Sequence, residues 1–400
     1  MKTLISTPIP TEVLQRITDS IKFEYPELDE KSRTKLLSRL VELWWLIKDA
    51  HIKELSKISD YETSNLEYRY TNISSRTLSK FEIQINKKIK VNTLLLMLEQ
   101  ARVIDINNIY SVGNFTKSYR PTPELDYLHT FNIPIDFSKI IDSYSSEEQL
   151  IAKNDPKYTK LIKDLYKTRI DLTSFFLVMD SITNTIYKKV KGVEKIMTPD
   201  LAYDYKMRAI KINLGLHFFS VSSTGRCYTS IANLPTITLK YLTVDGRNMI
   251  DIDLNNSQPL NLSVLIDNPQ YKKDCESGVF YDKVAAHLNI TRDEFKLKSY
   301  ETIFFNKDKV TGLTADNLEV VYPGIVRQIN ALKDKEELWF LLQKMEADLW
   351  ISTALEISNT ILTRHDSVMI FPEDLQSFKD SITAKYKKLG ASITLKETRF

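Results

Sequence analysis

Two acidic residues in the C-terminal half are placed where they could support metal-dependent chemistry. Asp253 stands near the end of an apolar, strand-like run at residues 249–254, and Asp366 lies in a polar turn just before a second such run. A strand and a neighbouring turn can bring two carboxylates together even when the sequence separates them widely. Paired carboxylates without a cysteine ligand suit Mg²⁺, and two such ions can activate an attacking oxygen and stabilise a leaving one. The acids therefore predict a site for two Mg²⁺ ions and phosphoryl transfer, with Asp251 as an alternative ligand to Asp253.

A second group of residues could bind a nucleotide. Arg292, Lys296, Tyr300 and Phe304 recur every four residues, which on a helix produces one slowly drifting stripe. The two cations match a triphosphate, and the two rings match a base. The alternative is a surface helix whose aromatic side chains face the core.

Five short features follow one another in a fixed order. They are Thr224-Gly225-Arg226 with Asn233-Leu234-Pro235, Asp253 followed by Ser257-Gln258, the stripe from Arg292 to Phe304, Gln343, and His365-Asp366. Over roughly residues 215–375 this order resembles the palm and fingers of family A DNA polymerases, and it is similar to that of the single-subunit phage-type RNA polymerases. The resemblance implies a right-hand polymerase that uses two Mg²⁺ ions, with a nucleic acid primer-template and nucleoside triphosphates as partners.

The resemblance also implies roles for individual residues. The two metal ligands are Asp253 and Asp366, and with Lys296 they form the catalytic group. The residues that would bind the incoming nucleotide are Arg292, Lys296, Tyr300, Phe304 and Gln258. The residues that would contact primer or template are Arg226, Asn233, Gln343 and His365.

Departures from the family pattern leave the nucleotide class open. Ser257 and Gln258 stand further from Asp253 than in family A DNA polymerases, and Leu260 replaces the Glu that excludes a ribose 2′-hydroxyl there. Ser367 follows Asp366 as in the RNA polymerases, whereas Phe304 replaces the Tyr that commonly reads the sugar in those enzymes. A DNA polymerase is the leading prediction. The alternatives are an RNA polymerase or primase, and a catalytically inactive nucleic-acid-binding replication protein.

The elements that must position these residues are strands mixed with helices. From about residue 215 three strand-like segments (NMIDIDL, SVMIF and SITLKET) occur among helical ones, which predicts an α+β class. We therefore expect a palm and fingers domain at residues 215–400. Residues 126–214 are predicted to form a thumb-like helical region.

The N-terminal half is predicted to be mostly helical. Apolar residues at helical spacing occupy residues 31–55, and residues 74–120 have the order of a winged helix-turn-helix: helix, helix, hairpin. We expect this domain, residues 1–125, to contact nucleic acid through a basic face that includes Arg76, Lys80, Lys117 and Arg120. A small helical domain with an ordinary solvated lysine face is the alternative.

Composition excludes several classes of protein. Of the 400 residues 42% are hydrophobic and 27% charged, which excludes disorder as the main state. The two cysteines, Cys227 and Cys275, exclude a disulfide framework and fit a reducing compartment. No apolar run has membrane-spanning length, and the N-terminus lacks the pattern of a secretory signal. We therefore expect a cytoplasmic monomer without membrane association, such as a compact replication enzyme of a phage or mobile element.

Overall fold

The computed structural model of the chain describes residues 4–55, 70–108, 117–136, 156–190, 193–232, 234–364 and 366–400. The chain forms two compact units. The first comprises Met1–Glu147 with Ile170–Leu216, and the second comprises Glu148–Arg169 with His217–Phe400. Both units mix α-helices with small antiparallel sheets, which confirms the α+β class at that level. The three domain ranges drawn from the sequence stay predictions.

The helices and strands are numbered here along the chain. The helices are α1 (Thr11–Glu24), α2 (Glu30–Leu55), α3 (Ser75–Ser79), α4 (Val91–Gln100), α5 (Pro156–Leu165), α6 (Leu172–Ile182), α7 (Pro199–Asn213), α8 (Thr236–Leu239), α9 (Ser257–Leu265), α10 (Pro269–Glu276), α11 (Phe280–Leu288), α12 (Arg292–Ser299), α13 (Gly312–Val321), α14 (Ile325–Lys333), α15 (Leu338–Ile357) and α16 (Leu375–Lys388). A π-helical turn spans Tyr300–Phe304, and a 3₁₀ turn spans Pro372–Asp374. The strands are β1 (Leu4–Pro10), β2 (Thr71–Asn72), β3 (Ile83–Gln84), β4 (Lys88–Ile89), β5 (Ile104–Asn107), β6 (Ser118–Pro121), β7 (Thr130–Asp136), β8 (Thr168–Ile170), β9 (Ile186–Val190), β10 (Val193–Ile196), β11 (Phe219–Val221), β12 (Cys227–Thr229), β13 (Leu242–Val244), β14 (Ile250–Leu254), β15 (Leu362–Arg364), β16 (Ser367–Ile370) and β17 (Leu395–Arg399). Among the described residues, no helix is both long and apolar enough to cross a bilayer.

The core of the first unit is built around α2. The apolar stripe seen in the sequence of this helix is completely buried at Leu36, Leu40, Trp44 and Ile47, because it faces the other elements of the unit. Two antiparallel arrangements of strands accompany it, β1 with β7 and a sheet of order β2-β6-β5.

The helix predicted from residue 74 is much shorter than the apolar spacing indicated. Ser74 caps it by accepting a hydrogen bond from the backbone N–H of Thr77, but α3 ends at Ser79. The chain then turns into the hairpin β3–β4, in which Ile83 and Ile89 lie opposite each other and are both buried. Isoleucine favours strands, so burial of this pair competes successfully with helix formation.

The central sheet of the second unit has the order β15-β16-β14-β17, with antiparallel neighbours. The three strands predicted from the sequence, β14, β16 and β17, are confirmed, and β14 pairs with each of the other two. Along β14, Ile250 and Ile252 are buried in the core, so alternation places Asp251 and Asp253 on the opposite face. Asp251 and Asp253 therefore lie on the same face of the sheet.

Candidate functional site

The two predicted catalytic acids come together at one end of the central sheet. Strands β14 and β16 pair with Ile252 opposite Val368, and one further step in this register brings Asp253 to the residues at the start of β16. Asp366 immediately precedes β16 and is exposed, whereas Asp253 is half-buried. The strand-and-turn arrangement expected from the sequence therefore holds for this pair.

The ionisation of Asp253 reflects that proximity. Burial raises its pKa to about 6, and the negative charges of Asp366, Asp251 and Glu346 act in the same direction. One interaction opposes them, a 2.8 Å hydrogen bond from the Leu254 backbone N–H to Asp253 Oδ1. The acids thus form a region of concentrated negative charge, which is what a divalent cation requires.

Asp251, the alternative ligand, has a different environment. Its Oδ2 accepts a 2.7 Å hydrogen bond from Arg364 Nη1, and the residue is only 9% exposed. Its Oδ1 is buried and has no hydrogen-bond partner within the described parts of the chain. The guanidinium of Arg364 therefore neutralises Asp251, while the carboxylate of Asp253 has no such neighbour among the charges that shift its pKa.

Arg226 is held beside the acids by a tight turn between β11 and β12. Gly225 adopts φ +82°, a left-handed conformation that side chains disfavour, and this lets the chain reverse before Arg226. Thr224 Oγ1 lies 3.4 Å from Gln343 Oε1 on α15, and Arg226 forms an ion pair with Glu346 one helical turn further along. Helix α15 thus anchors the turn at two points.

Glu346 is the functional-site residue that the sequence reasoning left without a role. It is 1% exposed, and its carboxylate bonds to both the Arg226 guanidinium and the Ser257 hydroxyl at the start of α9. Burial raises its pKa, and the two bonds oppose that rise. Its position three residues after Gln343, on the same helical face, is the signal that could have identified it.

The predicted nucleotide-binding stripe begins on α12. Thr291 and Glu294 form a capping box at its N-terminus, which fixes the first turn. Arg292 is about half exposed, with its Nε 3.5 Å from Asp282 Oδ2. The cationic groups of Arg292 and Lys296 lie 5.5 and 5.8 Å from the Tyr281 ring centre, so one ring supports both charges.

The stripe changes character at the π-helical turn. The backbone N–H of Phe305 bonds to the carbonyl of Tyr300 at 2.9 Å, a spacing of five residues that alters the rotation after Tyr300. Tyr300 is half-buried, and burial raises its pKa with further contributions from Asp366 and Glu346, so its hydroxyl lies near the acids. Phe304 is completely buried, the placement that the core-facing alternative predicted for this ring.

A polar cavity of about 210 Å³ adjoins the start of the stripe. Its lining includes Arg292 and Glu276 as well as Asn255 and Asn256, which follow directly after β14. The loop that leaves the acid-bearing strand and the first cation of the helix thus face one space.

The remaining predicted contacts have varied surroundings. Gln258 is 4% exposed, and its Oε1 is buried without a hydrogen-bond partner in the described chain. Gln343 lies beside Thr224 as stated above. Asn233 and His365 lie outside the described residues.

The predicted basic face belongs to the first unit. Arg76 and Lys117 are exposed, and Lys80 is half-buried. Arg120 is ion-paired to Asp105 on the neighbouring strand at 2.8 Å, and its guanidinium lies 4.7 Å from the Tyr70 ring centre. Much of the charge of Arg120 is therefore engaged within the unit.

Within the described residues, no three or more His, Cys, Asp or Glu side chains form a group that could hold a metal ion.

Comparison of the sequence with models of known protein families and with curated proteins finds no match.

Proposed function

We propose that the chain is a template-directed nucleotidyltransferase, a compact family A-like DNA polymerase. The observation that carries the proposal is the convergence of Asp253 and Asp366 beside Tyr300 and Arg226. These residues come from four separate segments, each of which carries one motif of the ordered set in the sequence.

The residues at the acid pair suit Mg²⁺. Their donors are carboxylate oxygens, which this ion prefers, and the pKa of Asp253 is raised by burial and neighbouring negative charge. Two protein carboxylates are also enough, because Mg²⁺ commonly completes its shell with water and substrate phosphates. Mg²⁺ held by Asp253 and Asp366 would acidify the primer 3′-hydroxyl and stabilise charge on the leaving pyrophosphate.

The cationic end of the stripe suits the triphosphate. Arg292 and Lys296 lie on one side of α12 against the Tyr281 ring, and Arg292 opens into the cavity that Asn255 and Asn256 also line. Their charges would orient the phosphates and offset the negative charge that develops on the leaving group. Tyr300 would stack on the base, since it follows Lys296 by one helical turn and its hydroxyl lies near the acids.

RNA synthesis is the second candidate, and two observations favour it. Leu260 is 1% exposed and packs in the core, so this position supplies no carboxylate against a ribose 2′-hydroxyl. Ser367 follows Asp366, as in the single-subunit RNA polymerases. A catalytically inactive nucleic-acid-binding protein is the remaining alternative.

We also propose that the first unit contacts nucleic acid. Its order is β2, α3, the hairpin β3–β4, α4 and the strands β5 and β6, so a helix precedes a pair of strands as in a winged helix, and Arg76 and Lys117 are exposed near these elements. Such cations would bind phosphates rather than read bases.

The decisive experiment for the enzymatic proposal is extension of a labelled primer-template with Mg²⁺ and either dNTPs or rNTPs. We expect dNTP extension by the full chain, and a loss of about a thousandfold in Asp366→Ala because several kcal/mol of transition-state stabilisation disappear. Asp316→Ala, at an exposed acid of α13, is the matched control and should extend normally. Extension with rNTPs alone would select the RNA polymerase, and nucleic-acid binding without extension would select the inactive protein.

Salt dependence tests the first unit separately. Replacing Arg76 and Lys117 by Ala should reduce the slope of log affinity for duplex DNA against log salt by about 2, as expected for two lost phosphate contacts. An unchanged slope would show that Arg76 and Lys117 are ordinary solvated side chains that do not contact DNA phosphates.

A further inference from the structure

Glu346 joins two segments of the second unit beneath the acid pair. The carboxylate is buried on α15, one oxygen bonds to Arg226 in the β11–β12 turn, and the other accepts from Ser257 at the start of α9. Both oxygens are thus engaged within the protein. Glu346 is therefore placed to position other groups rather than to touch a substrate.

One arginine, Arg226, shares a cavity with Asp366 of the acid pair. Arg226, Glu346 and Asp366 line one small cavity, and the charges of all three act on the Tyr300 hydroxyl. An arginine that reaches a carboxylate forms a charge-assisted hydrogen bond with it. Arg364 does so with Asp251 on the same sheet, at 2.7 Å.

The bond to Glu346 directs the Arg226 guanidinium away from Asp366. The Thr224–Gln343 contact holds the same turn independently, so loss of the Glu346 charge would leave the turn in place and release the guanidinium. The nearest remaining acid that shares its cavity is Asp366.

We propose that Glu346 is a positioning residue that holds Arg226 away from Asp366, so that the acid pair keeps its negative charge for a divalent cation. This inference rests on the proposed function in one respect, that Asp253 and Asp366 bind the cation. It goes further because it assigns a role to the buried Arg226–Glu346 ion pair, which the ordered motifs do not explain.

Direct binding of Mn²⁺ to the full-length chain, followed by electron paramagnetic resonance of the free ion, tests the inference without a need for turnover. We expect Glu346→Gln, which keeps the shape and removes the charge, to weaken Mn²⁺ binding about tenfold because Arg226 then pairs with Asp366. The double variant Glu346→Gln with Arg226→Gln should recover affinity to within about twofold of wild type, on the same electrostatic grounds.

The matched control breaks another ion pair of a buried carboxylate in the same unit. Asp274 is 6% exposed and binds Lys283 at 2.7 Å, so Asp274→Asn should lower thermal stability yet leave Mn²⁺ affinity unchanged. If Glu346→Gln folds poorly, Arg226→Gln in the wild-type background gives a second test. The inference predicts that this variant binds Mn²⁺ at least as tightly as wild type, and weaker binding would overturn it.

The outcomes separate the two proposals. Equal affinity in wild type and Glu346→Gln, or no recovery in the double variant, overturns the positioning role while the polymerase proposal stands. Wild type that binds no Mn²⁺, with Asp366→Ala indistinguishable from it, removes the cation site and overturns both.

Discussion

The two units treat buried charge in different ways. In the first unit, Lys48 is 4% exposed and places its ammonium 2.7 Å from Asp200 and 3.5 Å from Asp204, above the ring of Tyr127 at 4.3 Å. Burial raises the pKa of Asp204 to about 6, but Lys48 opposes that rise. Here a protein cation compensates the acids.

In the second unit, no cation among the described residues compensates the charge of Asp253 in the same way. The pKa of Asp253 is also raised to about 6 by burial, and every charge that shifts it belongs to a further acid, although Asp251 and Glu346 are each paired with an arginine. Like-charge crowding of this kind recurs at functional sites, where a bound cation can offset it. The difference teaches that excess like charge, rather than buried charge as such, marks the candidate site, and the following predictions test that distinction.

The largest expected effect separates function from stability at the acid pair. Asp366→Asn should reduce primer extension about a thousandfold, while the unfolding temperature of the chain stays constant or rises, because one of two crowded charges is removed. Extension rates and a thermal melt of the same preparation provide the measurement. A variant that melts well below wild type would show that the pair stabilises the fold, and the contrast between the units would fail.

The compensated cluster should show the reverse. Lys48→Met leaves Asp204 buried without its cation, so we expect the first unit to lose about 3 kcal/mol of unfolding free energy. Denaturant unfolding measures this loss, and Lys195→Met, at an exposed lysine of the same unit, should change it by less than about 0.5 kcal/mol. If the two variants lose similar amounts of unfolding free energy, the charge of Lys48 does not stabilise the buried acids.

A smaller effect depends on pH and concerns a buried histidine of the second unit. Burial, with a contribution from the Arg169 charge, lowers the pKa of His217 to about 4, and the ring contacts Ser230 and Tyr166. The unfolded chain therefore binds the proton more tightly, and stability falls as pH decreases from about 6.5 toward 4. The contribution lost by about pH 5 is about 2 kcal/mol.

Replacement of that histidine isolates its share of the pH dependence. His217→Gln should flatten the decline in stability between about pH 6.5 and 5 relative to wild type, since no proton uptake remains at this position. Unfolding free energies at several pH values measure the difference between the two curves. Parallel curves would show that His217 is not held neutral in the folded state.

The smallest effect concerns the turn that carries Arg226. Gly225→Ala introduces a side chain at φ +82° and should cost about 1 kcal/mol of stability. Gly246 has a similar φ of +75° with nothing within 4 Å, so Gly246→Ala serves as the control for backbone strain alone. If the two variants melt at similar temperatures but only Gly225→Ala extends the primer more slowly, the β11–β12 turn contributes to the site. Equal extension rates in the two variants would show that it does not.

The sequence predicted parts of the fold that depend on local pattern. The apolar stripe of α2 became core, and the strand-like segments at β14, β16 and β17 became paired strands, because both predictions depended on local apolar pattern. The helix predicted from residue 74 proved shorter than expected for the complementary reason. Pairing of Ile83 with Ile89 across a short hairpin is a strand preference that helical spacing alone does not reveal.

The identity of the candidate acids, Asp253 and Asp366, was already determined by residue type and order along the chain. What only the tertiary structure decided was which neighbours share their charge. Arg364 was found on Asp251, Arg226 on Glu346, and Phe304 in the core after the π-helical turn. The physical reason is that Coulomb interactions depend on distance and burial, and both quantities arise only when segments remote in sequence pack together.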